Sequence, residues 1–436
     1  MHSQALPHKE KNKYLYYCLL AYTIIFYSQI GGRIPVLGTI RIELLVGSII
    51  LILIFFKVNN GTIKIKKNQI NLAATFFLAA CFITIPFAYY KTYSFEIFIR
   101  LLKFFSIYLM IIFGIDNEKQ LKGFIWIYIF MIAYIFTESF FYAIQGLHIR
   151  YNSGAMRLFG PPGLFGHPNS LGGLTAANLP FFYFLFKYEK SWIRKLLLLA
   201  LMAIAICVIM YTNSRTAFVG FVCFIPLVWL FSKNKFVATV IILLSCFLLW
   251  QFAPPETKQR FLTLKKTEQY ISGQGDNQDA MGNRILLIKN SLKIFLEYPL
   301  TGVGVGNFIT ISGLRYNVWL PTHNLYTQAL AETGIVGSLS FLFLIVFIIK
   351  NLNKAKKLIK IKKLHESFLY YMIIATKFFL ILRLTVGLFG DDLYENYWWM
   401  AGGLSVVMLH LLKYHTTASS DELLPEAKVH YTAIQS

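Results

Sequence analysis

The sequence predicts an all-α, polytopic membrane protein with about twelve transmembrane helices and one long outward-facing loop that contains amphipathic helices. Hydrophobic residues make up 56% of the 436-residue chain and charged residues only 14%, where soluble domains carry about a quarter. The apolar residues run in long blocks, such as 44–56, 196–210 and 341–349, separated by short polar or basic joints. At about 20 residues per span, a chain of this length holds roughly a dozen helices and one sizeable extramembrane segment. An ordinary soluble enzyme is excluded.

The first block, 14–30, follows Lys9, Lys11 and Lys13. No small-residue cleavage site comes after it, so it reads as a retained helix and not a signal peptide. Further spans are expected near 37–56, 70–90, 95–113, 122–143, 171–187, 195–212, 215–231, 236–252, 325–349, 366–389 and 396–413. Cys18, Cys81, Cys207, Cys223 and Cys246 all lie in apolar stretches without CxxC spacing. They read as buried small hydrophobes, with no disulfide framework and no metal site. The formal net charge of +22 would suggest nucleic acid in a soluble protein. Here the lysines sit in the joints, where they act as topology signals and contacts to membrane lipids, and no nucleic-acid partner is expected.

The joints sort by charge. Lys57, Lys64, Lys66 and Lys67 share one, Lys187, Lys190, Arg194 and Lys195 another, Lys233 and Lys235 a third, and the run from Lys350 to Lys363 a fourth. Each falls on the side of the N-terminus if the spans alternate, so the positive-inside rule places both termini in the cytoplasm. The opposite joints are 31–36, 91–94, 144–170, 253–324 and the acidic 390–395. Four parts follow: an N-terminal transmembrane bundle over 1–145, a core over 146–350 that includes the long loop 253–324, C-terminal transmembrane helices over 351–415, and a cytoplasmic tail over 416–436. A loop as long as 253–324 is uncommon without a function. Within it, 283–297 reads as an amphipathic helix along the membrane-water boundary, with Ile285, Ile288, Leu292 and Phe295 on its apolar face.

Three outward segments concentrate residue types that spans avoid. Arg157 to Gly163 and Gly166 to Ser170, with Pro168 and Asn169, specify a shaped, non-helical backbone at the mouth of the next span. Asn213-Ser214-Arg215 breaks two apolar blocks and places a permanent cation at the outer end of a helix. That guanidinium either snorkels to headgroups or forms a planar fork for phosphate oxygens, aided by the Ser214 and Asn213 donors. The third segment joins Gly282-Asn283-Arg284, the glycine run Gly302, Gly304 and Gly306, and Pro321-Thr322-His323-Asn324. No strand-turn-helix unit surrounds the glycines, so a dinucleotide site is discarded; they let the backbone press on a neighbouring span or a ligand. His323 is expected in the first turn of the next span, where the helix dipole disfavours imidazolium and a neutral ring can accept a proton. It is either that or an interface residue.

The Ser-Arg break, the Asn-Arg before an amphipathic helix, "YPLTGVGVGNF" and "HNLYTQALAETGIVGSLSFL" together resemble the signature of the O-antigen ligase and polymerase superfamily over roughly 150–345. The resemblance implies transfer of a glycan from undecaprenyl diphosphate to an acceptor hydroxyl at the periplasmic face of the bacterial inner membrane, in lipopolysaccharide or surface polysaccharide synthesis, with no cofactor, nucleotide sugar or metal. It implies Arg215 and Arg284 on the diphosphate and His323 as general base, with inversion at the anomeric carbon. Arg157, Asn169, Ser214 and Asn324 are candidate substrate binders. The implied partners are the undecaprenyl-diphosphate-linked glycan and either lipid A core or another glycan as acceptor. Ligase, repeat-unit polymerase and protein oligosaccharyltransferase differ only in acceptor, and the absence of a large appended C-terminal domain favours the first two. A lipid-linked oligosaccharide transporter is the alternative of another class. Lys377 and Arg383 within one apolar block are its evidence, because intramembrane cations are usually functional.

Overall fold

The computed structural model describes residues 13–152, 155–161, 165–252, 258 and 280–422. Outside the described residues lie Lys9 and Lys11, Pro162 and Gly163, the stretches 253–257 and 259–279 of the long loop, and tail residues 423–436. The side chains of Cys246 and Asn283 lie outside them as well.

The chain is a mostly helical, multi-pass membrane protein. In order, the helices are α1 (Lys13–Ser28), the short α2 (Ile30–Arg33) and α3 (Pro35–Thr39), α4 (Ile42–Asn59), α5 (Gln69–Thr84), α6 (Lys91–Gly114) and α7 (Glu118–Ile144). A two-stranded antiparallel hairpin follows, β1 (Ile149–Asn152) and β2 (Ala155–Leu158). Then come α8 (Pro168–Tyr188), α9 (Trp192–Tyr211), α10 (Arg215–Leu230), α11 (Lys235–Phe252), α12 (Ala280–Glu297), α13 (Phe308–Tyr316), α14 (Leu325–Ile361), α15 (Phe368–Val386) and α16 (Tyr397–Glu422). Seven described helices are long and apolar enough to cross a membrane: α4, α5, α6, α7, α9, α14 and α15. The remaining five expected spans coincide with α1, α8, α10, α11 and α16. Of these, α10 is 16 residues long, short for a full crossing.

Local chemistry sets the starts of many helices. Asn68, Asn117, Ser214, Asn324 and Ser367 each cap the helix that follows with a side-chain oxygen. Central among the helices is α8, buried from Leu171 through Leu185. Its small residues Gly172, Gly173, Ala176 and Ala177 admit close neighbours, which is how helices associate where water supplies no driving force. A Cβ on Gly172 would stand 2.6 Å from that of Ala217 in α10. One apolar core runs from Leu15 in α1 to Leu412 in α16, so the three expected transmembrane parts share a single interior. A smaller cluster of Leu287, Ile294, Val303, Phe308, Ile311 and Ala331 binds α12 and α13 to the head of α14.

Several expectations are corrected here. The joint 144–170, expected to face outward, holds a β hairpin, the one sheet among the described residues. The lysine run from 350 is not a loop, because α14 continues to Ile361 with Asn351, Leu352, Ala355 and Ile359 buried at helical spacing and lysines on the opposite face. Likewise α16 continues to Glu422, into the expected tail. On α12 the stripe facing the protein is Leu287, Asn290, Ser291 and Ile294, while Ile285 and Leu292 of the expected apolar face stay exposed. The helix docks through one side and leaves the other for its surroundings. Cys223 is exposed on α10 and Cys18 and Cys207 are half-buried; only Cys81 among the described cysteines is fully buried.

Candidate functional site

The hairpin, the break between α9 and α10 and the head of α8 meet around one guanidinium. Arg157 is buried, and it donates from Nε to the Thr212 carbonyl at 3.0 Å, from one Nη to Asn152 Oδ1 at 3.0 Å and from the other to Asn169 Oδ1. Ser214 Oγ donates to the same Asn169 oxygen at 2.9 Å and accepts from the Ala217 N–H at 3.3 Å as the cap of α10. Asn213 takes the left-handed region, φ 47°, which asparagine tolerates, and its amide donates to the Met156 carbonyl at 2.8 Å. His167 caps α8 by accepting the Asn169 N–H at its Nδ1, 3.2 Å away. Burial, then the charges of Arg157 and His323, push the His167 pKa down to about 4, so the ring is neutral at neutral pH and keeps its cap.

Arg215 opens α10, and its Nε is sequestered from solvent without a hydrogen-bond partner among the described residues. Arg284, near the start of α12, lies with its guanidinium 5.5 Å from the centre of the Phe389 ring. Its pKa is lowered, first by burial and then by the like charge of Arg215, with Asp391 acting in the opposite sense. Two guanidiniums are therefore held within each other's field in a half-buried place. That arrangement favours an anion between them.

His323 lies beside this pair, on the joint that enters α14. Its backbone is left-handed, φ 50°, and is held there by its N–H donating to Asp391 Oδ1 at 2.6 Å. The hydroxyl of Thr322 donates to the same oxygen, and the imidazole Nδ1 stands 3.2 Å from Asp391 Oδ2. This corrects the expected position. Asn324 is the cap of α14, so His323 precedes the helix instead of occupying its first turn, and a carboxylate faces its ring. Asn324 is also more engaged than a substrate binder would be: Oδ1 accepts from the N–H groups of Tyr326 and Thr327, each at 3.0 Å, and Nδ2 donates to the Leu388 carbonyl.

The glycine run positions this joint by packing on a span. Gly302, Gly304 and Gly306 all have positive φ, and the N–H groups of Val303 and Gly304 donate to the carbonyls of Ala331 and Glu332. They meet α14 where it kinks at Gly334, whose φ is 60°. A Cβ on Gly302 would stand 2.5 Å from the Glu332 carbonyl carbon, and one on Gly334 2.4 Å from the Leu300 oxygen. Asn307 fastens the other side to α6, donating to Ser94 Oγ at 2.6 Å and accepting the Tyr90 N–H at 2.8 Å.

The intramembrane cations have partners in the fold. Arg383 is 1% exposed, donates to Asp392 Oδ2 at 2.7 Å and stacks 3.4 Å from the centre of the Tyr397 ring. Lys377 donates to Asn353 Oδ1 at 2.9 Å. Both cations of the transporter alternative thus have polar partners, although the Arg383 Nε is buried without a hydrogen-bond partner among the described residues.

The structure thus brings Arg215, Arg284 and His323 together, with Arg157, Asn169, Ser214 and His167 as the wall behind them. Sequence reasoning missed Asp391. It registered the acidic joint 390–395 only as a sign of topology, although a carboxylate on the same side as an isolated histidine was the available signal. Residues 181–342 match the family model described as O-antigen ligase. No curated protein matches the chain. The matched stretch holds Arg215, Arg284 and His323, while Arg157, Asn169 and Asp391 lie outside it. The match places that stretch in the O-antigen ligase and polymerase superfamily.

Proposed function

We propose that this chain, with an O-antigen ligase stretch at 181–342, transfers a glycan from undecaprenyl diphosphate to an acceptor hydroxyl at the periplasmic face of the bacterial inner membrane, with both termini in the cytoplasm. The family supports a role of ligase or polymerase type in polysaccharide biosynthesis. The observation that carries the finer reading is the crowding of Arg284 by Arg215, whose Nε is buried without a partner, beside the His323–Asp391 pair. A diphosphate satisfies both guanidiniums.

Chemically, the acceptor oxygen attacks the anomeric carbon while the bond from that carbon to the diphosphate breaks. The electron pair leaves on the diphosphate, where two guanidinium forks stabilise it. With Asp391 against Nδ1, the Nδ1–H tautomer of His323 is favoured, and Nε2 is the nitrogen left to take the acceptor proton. Asp391 then steadies the imidazolium and holds its orientation. The acceptor attacks from the face opposite the leaving group, so the configuration inverts. Arg157, Asn169 and Ser214 shape the donor pocket from behind.

Lipid A core and a second lipid-linked glycan are the two acceptors in view. Purified protein incubated with undecaprenyl-diphosphate glycan and lipid A core tests the ligase; the same donor alone tests the polymerase. Products with more than one repeat unit on undecaprenyl diphosphate identify a polymerase, and glycan on lipid A core identifies a ligase. Hydrolysis or export without any transfer in either mixture refutes the reading.

A further inference from the structure

A second charged hollow, outside residues 181–342, lies at the heads of α4 and α6, the ends that the sequence reading places outward. Its volume is about 370 Å³, and its walls are the α2–α3 turn, the head of α4 and one face of α6. Arg41, Glu43, Glu96, Arg100 and Lys103 line it. Lys103 and Glu43 pair with each other. Arg100 keeps its Nε buried without a hydrogen-bond partner among the described residues. Arg41 is the residue before α4 and carries no side-chain cap, so the first N–H groups of an 18-residue helix also point their positive ends to this place. Leu37, Ile42, Leu44 and Ile99 add apolar wall, and Ile34, Val36 and Ile40 of the same α2–α4 segment are exposed. Cations beside an apolar wall, at the outer end of spanning helices, suit a phosphorylated lipid whose chains remain in the bilayer.

The hollow also has a route to the reaction centre. Arg100 acts on Glu395, whose carboxyl burial pushes up to about 7, and Glu395 belongs to the same joint as Asp391. The head of α6 carries Ser94, which holds Val305 and Asn307 of the glycine run. Arg100 and α6 thus link the hollow to the joint that carries Asp391 and to the glycine run.

We infer that this hollow anchors the phosphate of the second lipid substrate, the acceptor, while Arg215 and Arg284 hold the donor. The inference rests on the glycan-transfer reading and deepens it. Two-substrate transfer between lipids requires two headgroup sites at one membrane face, and besides the enclosed Arg383 the described residues hold two arginines with a buried, unpartnered Nε, Arg100 at the hollow and Arg215 at the pair.

The test uses full-length protein in neutral-lipid nanodiscs, titrated with undecaprenyl diphosphate and with diphosphoryl lipid A, in wild type, Arg41→Gln/Arg100→Gln and Arg215→Gln/Arg284→Gln. Thermal unfolding checks that each variant is folded, and Arg41→Gln alone, at an exposed residue, serves if the double variant is not. The expectation is two binding events. One is lost at least tenfold only in the Arg41/Arg100 variant, and one only in the Arg215/Arg284 variant. Loss of undecaprenyl diphosphate at the hollow indicates a lipid-linked glycan as acceptor, and loss of lipid A indicates a lipid A core. Inorganic phosphate at millimolar concentration should displace neither. The inference is overturned if Arg41→Gln/Arg100→Gln binds both lipids as wild type does, if phosphatidylglycerol competes equally well, or if inorganic phosphate alone empties the hollow. Retained binding in Arg215→Gln/Arg284→Gln would instead count against the donor site, and so against the glycan-transfer reading itself.

Discussion

Arg383 and the Arg215–Arg284 pair differ in how completely the fold answers their charge. Arg383 is enclosed, forms an ion pair with Asp392 and stacks on Tyr397, although its Nε, like that of Arg215, has no hydrogen-bond partner among the described residues. Neither Arg215 nor Arg284 has an ion-pair partner among the described residues, and Arg284 sits in the field of another cation. A folded chain tolerates one permanently charged group without neutralising it fully when a ligand completes the arrangement. Partner inventory therefore separates cations of the scaffold from cations of the site, where sequence position alone treats them alike.

Substitutions at the two kinds of arginine should fail in different ways. Replacing Arg383 by Gln leaves Asp392 buried and unpaired, and should cost about 3–5 kcal/mol of stability. The double variant with Asp392→Asn should recover most of that loss in thermal unfolding of detergent-solubilised protein. If Arg383→Gln unfolds like wild type and only activity falls, Arg383 belongs with the site. For Arg215→Lys and Arg284→Lys the charge stays but the planar fork goes, so turnover should drop about tenfold or more at unchanged melting temperature. Near-normal transfer in both Lys variants would make these arginines snorkelers.

Arg157 sharpens the comparison because it lies at the site yet has a partner for every nitrogen. Its replacement by Lys should lower the melting temperature and loosen donor binding only as a consequence, with the acceptor KM unchanged. A donor-specific loss in a variant that melts normally would put Arg157 in contact with substrate.

A smaller effect is expected from pH. The folded pKa of His167 lies near 4, below the usual histidine value of about 6.5. Between those values the unfolded chain binds more protons, so stability should rise with pH from 4 to 6.5 and fall as the medium is acidified through that window. His167→Asn, which can still cap α8, should flatten that slope when unfolding is followed from pH 4 to 7. An unchanged slope would assign the acid sensitivity elsewhere. Smallest of all, Lys377→Met should stay within about 0.5 kcal/mol of wild type and transfer glycan no less.

Much of the architecture was legible because apolar blocks about 20 residues long have few alternatives to a spanning helix. The break at Asn213 to Arg215 and the joint at Pro321 to Asn324 announced themselves for the same reason, as polar residues where the pattern forbids them. Other features depend on contacts that no local pattern encodes. The lysines after Lys350 looked like a loop because lysine is both a topology signal and a good helix former, and buried Asn351, Leu352, Ala355 and Ile359 decided between the two. On α12 two apolar stripes compete, and only docking against Val303 and Phe308 selects Leu287 and Ile294. The pairing of His323 with Asp391 spans 68 residues and exists because α14, α15 and the last joint fold back on one another.

The central claim is that His323, held by Asp391, accepts the acceptor proton while the two arginines hold the donor. Its most direct test is a paired measurement on His323→Ala, of undecaprenyl-diphosphate binding and of single-turnover transfer. A positioned base contributes about a hundredfold to ten-thousandfold. Transfer should fall within that range while donor binding stays as in wild type, and Asp391→Asn should show a smaller loss of the same kind. Wild-type transfer by His323→Ala, or loss of donor binding as complete as in Arg215→Ala, would contradict the account.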